Sequence, residues 1–348
     1  MKKIINIKHH LDDYECMWNG IEDLYINSTS EVLPLNAFMT LASFGTFCYL
    51  KQEKSDLKRM IAFGDGRTKQ MYEFMAPIAG FDYKFYECPS FEKLMVKLRK
   101  EIDSGYPVVV GALDMFHLSY LKMYHKYHIP FHYVLVVGYD DENKEITLLD
   151  CGRKEPQTLS YNDFSLALDC SYPGLSKPNT IITIRMNDPH CFGSIVEKSL
   201  NYKKELFLNP PVGFIGYKGF EKFVNELPKL PELIGINETK KILSNMVQFL
   251  ATVPTMPNRL LGINKPDHCD WFGGFDRIER VLMFAGEKYG KSDYIEAALL
   301  FSKGKAVVSK LKDQILDYVV DGKNCMNDIA NSFIEMKDIM ISGFAAIR

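Results

Sequence analysis

Cys16 stands near the N-terminus in Glu15-Cys16-Met17-Trp18-Asn19-Gly20, and far downstream His132 opens the run His132-Tyr133-Val134-Leu135-Val136-Val137-Gly138-Tyr139-Asp140, followed by Leu149-Asp150. A thiol, an imidazole and a carboxylate are the parts of a nucleophilic site in which the imidazole takes the thiol proton and the carboxylate orients the imidazole. The thiolate is the attacking form, so the ordinary cysteine pKa of about 8.5 must fall, which a helix N-terminus and an imidazolium neighbour both promote. Three acids, Asp12, Asp13 and Glu15, lie close by in sequence and oppose that change. Much of the stabilisation therefore falls to His132.

The elements that would position these groups can be read from periodicity. If Cys16 opens a helix carrying Trp18, Ile21, Leu24 and Tyr25, its sulfur lies near first-turn N–H groups that can also hold an oxyanion. Residues 14–50 read as largely helical, broken near Asn27-Ser28-Thr29-Ser30, with Ser30 as the cap of a second segment through Leu33, Ala37, Leu41 and Phe44 and Pro34 in its first turn. An amphipathic stretch around Met71, Phe74, Met75 and Ile78 stops at Gly80, and Ser90 begins another through Phe91, Leu94, Leu98 and Ile102. Phe81–Tyr86, Val108–Leu113, residues 131–139, residues 145–150 and Thr180–Arg185 read as strands. The polar loop Asp140-Asp141-Glu142-Asn143-Lys144 makes a hairpin of two of them, which brings residues near 132 and 150 to one end. Hence His132 can face Cys16 while Asp150 holds its other ring nitrogen.

At 348 residues the chain is long enough for two domains. After about residue 195 the strand signals stop, Pro210-Pro211 marks a break, and helical spacing takes over in Phe275, Ile278, Leu282, Ala285 and again in Val307, Leu311, Ile315, Val319. The fold class read from this is α+β, with residues 1–195 as the α+β domain bearing the site and 196–348 as an all-α domain. The net charge of −2, from 42 basic and 44 acidic residues, gives no general attraction for nucleic acid or anionic lipid. With neither a signal-peptide core nor an apolar run of membrane length, the expected location is cytoplasmic. Eight cysteines without a CxxC pair suggest neither a disulfide framework nor a zinc ribbon. Tyr124-His125-Lys126-Tyr127-His128 with His132 lacks the Cys or carboxylate that would close a metal set, so no metal is expected. Gly64-Asp65-Gly66 lacks the GK[ST] ending of a phosphate loop, and Asp270 in Asp267-His268-Cys269-Asp270-Trp271 reads as a helix cap.

The order Cys16, His132, Asp150 is that of a papain-like fold, whose cysteine starts a helix and whose histidine and orienting residue come from a later sheet. From Cys16 to Leu168 the chain resembles the N-terminal domain of the butirosin biosynthesis protein H family, papain-like acyltransferases. The resemblance is carried by Gly105-Tyr106-Pro107-Val108-Val109-Val110, by Asp114-Met115-Phe116-His117-Leu118-Ser119-Tyr120, and by His132 through Asp141 with Asp150 beyond. The helical half, especially Gly273 to Leu299, is similar to the helical domain that accompanies the family.

The resemblance implies that Cys16 accepts an acyl group from the phosphopantetheine thioester of an acyl carrier protein and passes it to a small-molecule amine, in antibiotic or other secondary metabolism. His132 is then base and afterwards acid, Asp150 orients it, and the protein needs no cofactor of its own. Where the family has His immediately before its Cys, this chain has Glu15; His10 is the candidate for the oxyanion-hole place. Asp114, His117 and Trp18 are candidate substrate contacts, with a capping Asp and a surface His as the plainer reading of the first two. Two alternatives stay open: a cysteine peptidase or amidase, in which water discharges the same acyl-enzyme, and a non-catalytic binding protein on a degenerate papain-like fold. The oligomeric state is not legible.

Overall fold

The computed structural model describes residues 1–12, 15–54, 58–171, 177–250 and 274–348, side chains 247–250 excepted. Asp13 and the proposed cap at Asp270 lie outside the described residues. By compactness the chain divides into one unit of Met1–Ala42 with Gly66–Ile195 and a second of Ser43–Asp65 with Val196–Arg348. Residues 43–65, which the sequence reading kept with the N-terminal half, thus fall in the second unit.

The first unit is built on an antiparallel sheet. Its strands are β1 (Lys2–Ile4), β4 (Asp82–Glu87), β5 (Val108–Leu113), β6 (His132–Asp140), β7 (Glu145–Leu149), β8 (Gln157–Ser160) and β9 (Thr180–Arg185), in the spatial order β4-β9-β5-β6-β7-β8 with β1 also on β6. The five strands expected here from sequence are present within a residue or two. All nine residues of β6 are buried, because both faces of the sheet are covered. On one face Val134 and Val136 join Val108 and Val110 in a core with Leu94 and Leu98 of α4 (Phe91–Asp103) and Phe164 of α5 (Tyr161–Leu168). On the other, α1 (Cys16–Thr29) lies against β6 and β5. Gly20 makes that approach possible: a β-carbon there would stand 3.0 Å from Leu135 Cβ.

Local chemistry sets the ends of these helices. Ser90 caps α4 by accepting from the Lys93 N–H at 3.4 Å, and Gly80, at φ 80°, ends α3 (Thr68–Ala79). Ser30 does not start a helix. At φ 61° it ends α1, its N–H donating to the Ile26 carbonyl, and Pro34 precedes α2 (Ala37–Ser43) instead of lying in its first turn. The expectation of mostly helix over 14–50 fails at its end, where Phe47–Lys51 forms β2 and pairs with β3 (Arg59–Phe63).

The second unit contains this hairpin and helices. After α6 (Phe192–Leu208) come α7 (Gly216–Glu226), α8 (Leu230–Ile234), α9 (Ile236–Leu250), α10 (Phe275–Tyr289), α11 (Ser292–Ser302), α12 (Gly304–Val319) and α13 (Met326–Ala346). Alternation in β2 turns Phe47 and Tyr49 onto α7, where Phe47 stacks on Phe220 at 4.3 Å between ring centroids and Tyr49 meets Phe223 at 5.5 Å. The Arg59 guanidinium, 5% exposed, is matched by Glu226, which accepts from Arg59 Nε and from the Tyr49 hydroxyl at 2.7 Å each. Among the described residues no helix is long and apolar enough to cross a membrane. The chain is α+β, with a helix-dominated second unit.

Candidate active site

Cys16 is the first residue of α1, half-buried, with its thiol 3.9 Å from the carbonyl oxygen of Phe131. The next residue, His132, begins β6, and Asp150 directly follows β7. The antiparallel register sets Leu135 opposite Leu149, so the hairpin brings the His and the Asp to the same end. His132 Nε2 lies 2.9 Å from Asp150 Oδ2, and both side chains are buried. That bond leaves Nδ1 as the ring nitrogen available for proton exchange with a nucleophile.

The electrostatics follow from this enclosure. Burial pulls the His132 pKa down, but the Asp150 carboxylate and the Cys16 sulfur outweigh it, and the net shift is well above the ordinary histidine value. For Asp150, burial pushes the pKa up, and the imidazole of His132 more than reverses that, leaving the carboxyl below its usual range. Tyr120 is half-buried with its hydroxyl enclosed beside Asp150, and desolvation next to that carboxylate drives its pKa far up. Cys151 is likewise pushed up, first by burial and then by its neighbours Cys16 and Asp150. It is unsuited to act as a second nucleophile.

The acids near Cys16 have partners of their own. Glu15 caps α1 and accepts from the Met17 N–H at 3.1 Å, taking up one of the first-turn donors expected for an oxyanion. Asp12 accepts from the Asn36 N–H at 2.6 Å. His10 has its Nε2 3.5 Å from Asp12 and 3.5 Å from Glu22, so that nitrogen is directed at carboxylates.

The other sequence candidates separate in space. Trp18 is 0% exposed, packed in the core against Tyr72 and Phe38. Asp114 ties its loop together, accepting from the Phe116 and Ile129 N–H groups at 3.0 Å and pairing with His128 Nδ1 at 2.6 Å. This is the capping role. His117 lies among the rings of Phe116, His125 and His128.

Sequence reasoning overlooked a polar stripe on α1. Asn19, Asp23 and Asn27, four residues apart, share one helix face and seize the extended segment 8–10. Asn27 exchanges two hydrogen bonds with the backbone of Lys8, at 2.8 and 2.7 Å; Asn19 donates to the His10 carbonyl at 2.6 Å; Asp23 accepts from the His10 N–H at 2.6 Å. The stripe sets His9 between two acceptors, with Nδ1 2.7 Å from Asp23 Oδ2 and Nε2 3.2 Å from the backbone carbonyl of Asp150. Burial lowers the His9 pKa, but the Asp23 carboxylate leads the groups that raise it overall, consistent with a doubly protonated ring. His9 is thus a positioning residue for the strand end that bears Asp150. Its signal in the sequence was the four-residue recurrence of Asn, Asp and Asn.

Compared with known proteins, the chain matches the family model of butirosin biosynthesis protein H, N-terminal, over residues 15–151. No curated protein is matched. The matched segment starts one residue before the thiol and ends one residue after the carboxylate, so it contains Cys16, His132 and Asp150 together. Over residues 15–151 this chain is therefore similar to the N-terminal domain of butirosin biosynthesis protein H.

Proposed function

We propose that the protein is a thiol-dependent acyltransferase of antibiotic or related secondary metabolism, working in the cytoplasm through an acyl-Cys16 intermediate. The observation that carries this reading is the buried His132–Asp150 pair at 2.9 Å, with Cys16 at the start of α1 as the other electrostatic partner of the same imidazole. The family, named for a biosynthesis protein, supports an enzyme of biosynthesis. The donor is a thioester on the phosphopantetheine of an acyl carrier protein and the acceptor a small-molecule amine.

In the first half-reaction the Cys16 proton is already held on His132 Nδ1 and Cys16 Sγ attacks the thioester carbonyl as the thiolate. Asp150 steadies the imidazolium. The tetrahedral adduct collapses, the pantetheine sulfur leaves, and His132 returns the proton to it. In the second, the amine attacks the acyl-Cys16 carbonyl, His132 takes a proton from the amine, and Cys16 leaves as the amide forms. N–H groups of the first turn of α1, less the Met17 donor held by Glu15, receive the oxyanion.

Intact-protein mass spectrometry with acyl-pantetheine thioesters, with and without amines, tests the reading. An adduct discharged faster by amine than by water supports transfer. An adduct discharged by water alone, unaffected by amines, would make the protein a hydrolase, and no adduct with any donor would leave a binding role.

A further inference from the structure

Beyond the triad, one cluster in the first unit has chemistry that the reaction does not use. His10 Nε2, a carboxylate oxygen of Asp12 and one of Glu22 lie within 4.8 Å of one another. His10 Nε2 is 3.5 Å from Asp12 Oδ1 and 3.5 Å from Glu22 Oε2. Among the described residues neither His10 Nε2 nor Glu22 Oε2 meets a hydrogen-bond donor or acceptor in good geometry, although both atoms are buried and the Glu22 residue is 0% exposed. A buried polar atom left in this way costs roughly 1–3 kcal/mol, and more when charged. Asp12 and Glu22 are thus two buried carboxyl groups beside a single imidazole, an arrangement that needs a proton or a cation among them.

The spacing is that of ligands around one ion. At 3.5 Å the pairs are too far apart for good N–H···O bonds, which close to about 2.7–3.2 Å. Two ligands held about 2.0–2.2 Å from one tetrahedral ion stand roughly 3.3–3.6 Å apart, which is the spacing found here. The surroundings hold the three groups in place. Glu22 Oε1 accepts from the Phe38 N–H at 2.6 Å, Asp12 Oδ1 from the Asn36 N–H at 2.6 Å, and the His10 backbone is pinned at both its N–H and its carbonyl. Only in Glu22 is the oxygen so held the one turned away from His10, the Asn36 bond falling on the same Asp12 oxygen that faces the imidazole; such outer hydrogen bonds fix the orientation of metal-ligating side chains.

We propose that His10, Asp12 and Glu22 form a site for one divalent transition-metal ion of the Zn²⁺ type, with water completing the coordination, which fastens the segment before α1 to the helix that bears Cys16. One imidazole nitrogen and two carboxylate oxygens suit Zn²⁺ and its spectroscopic substitute Co²⁺. The site is joined to the triad through the backbone, since the Asp12 N–H donates to the carbonyl of Cys151 at 3.1 Å. The inference stands independently of the reaction proposed for Cys16.

The test uses the full-length chain carrying Cys16→Ser, so that the thiol cannot ligate, stripped with a chelator and titrated with Zn²⁺ and with Co²⁺. Expected are one tightly held ion per chain, a higher Tm with Zn²⁺, and a Co²⁺ spectrum of nitrogen and oxygen ligation without a thiolate band. Glu22→Gln and, separately, His10→Gln should each weaken binding at least about 100-fold, more than the 10–100-fold typical of losing an outer-shell partner. No stoichiometric uptake overturns the proposal, as does uptake that both variants retain, which would place the ion elsewhere. A Glu22→Gln chain that is more stable than its parent, with neither responding to Zn²⁺, also overturns it, because the carboxyls would then be sharing a proton.

Discussion

Replacing Asp150 by Asn keeps the shape of the side chain and removes the anion that faces His132. The bond it alters is 2.9 Å long between side chains 9% and 3% exposed, so solvent cannot substitute for the lost charge. Breaking such a buried pair from one side costs about 3–5 kcal/mol of imidazolium stabilisation. At 1.36 kcal/mol per unit that is a fall of roughly 2–3.5 units in the His132 pKa, and a comparable number of decades in any step that needs His132 protonated. The assay is an NMR pH titration of histidine ring resonances, with His132 assigned by its absence in His132→Gln. In the wild type the ring should stay protonated well above the ordinary histidine range, and in Asp150→Asn it should titrate lower by the stated amount. The stability profile should follow. The raised His132 pKa contributes stability present below the ordinary histidine pKa and lost as pH rises through the folded value. The lowered Asp150 pKa contributes stability present above the ordinary carboxylate pKa and lost as pH falls through the folded value, so the variant should lose less stability on the acid side than the wild type. A folded Asp150→Asn protein whose His132 titrates within about 0.5 unit of the wild type would refute the reasoning.

Other perturbations test the scaffold. His9→Gln removes two charge-assisted hydrogen bonds of a buried ring, and chemical denaturation should show a loss of about 1.5–3 kcal/mol together with slower acylation of Cys16. Gly20→Leu forces a side chain onto Leu135, where even a β-carbon stands at 3.0 Å; overpacking of about 1–3 kcal/mol should appear in denaturation, with Cys16 less reactive as α1 is displaced from β6. In the second unit, Glu226→Ala takes from the buried Arg59 one of its two carboxylate partners, Glu53 remaining, and a loss of about 1–3 kcal/mol is expected, readable as a lower denaturation midpoint for that unit with His132 titration unchanged.

What could be read in the sequence was what strong periodicity and well-spaced chemistry announce. Val108–Leu113 and residues 132–140 are apolar runs bounded by turn residues, and they are the central strands; Gly80 and Ser90 carry capping chemistry and sit at helix ends. The hairpin length alone brought His132 and Asp150 to one end. Hidden were the elements whose stability is not local. β1 and β8 are three and four residues long and exist only by pairing with neighbours in the sheet, and β2 looks like a helix tail until α7 supplies the aromatic face for Phe47 and Tyr49. Ser30 was misread because a Ser in the left-handed region can end a helix as well as begin one. The weight placed on the acids around Cys16 rested on sequence distance, whereas Glu15 is directed at Met17 N–H and Asp12 at Asn36 N–H. For His9 the recurrence of Asn19, Asp23 and Asn27 signals only that segment 8–10 is held to α1; its contact with the Asp150 carbonyl joins residues 141 apart.

The most direct measurement is to incubate the protein with an acyl-pantetheine thioester, quench in acid, digest, and locate the acyl mass on a peptide. The expected result is a single thioester-linked acyl group on Cys16, absent in Cys16→Ser and formed about 10²–10³ times more slowly in Asp150→Asn. An acyl group on another residue, or one that still forms at the wild-type rate after Cys16 is replaced, would contradict the assignment of Cys16 as the nucleophile.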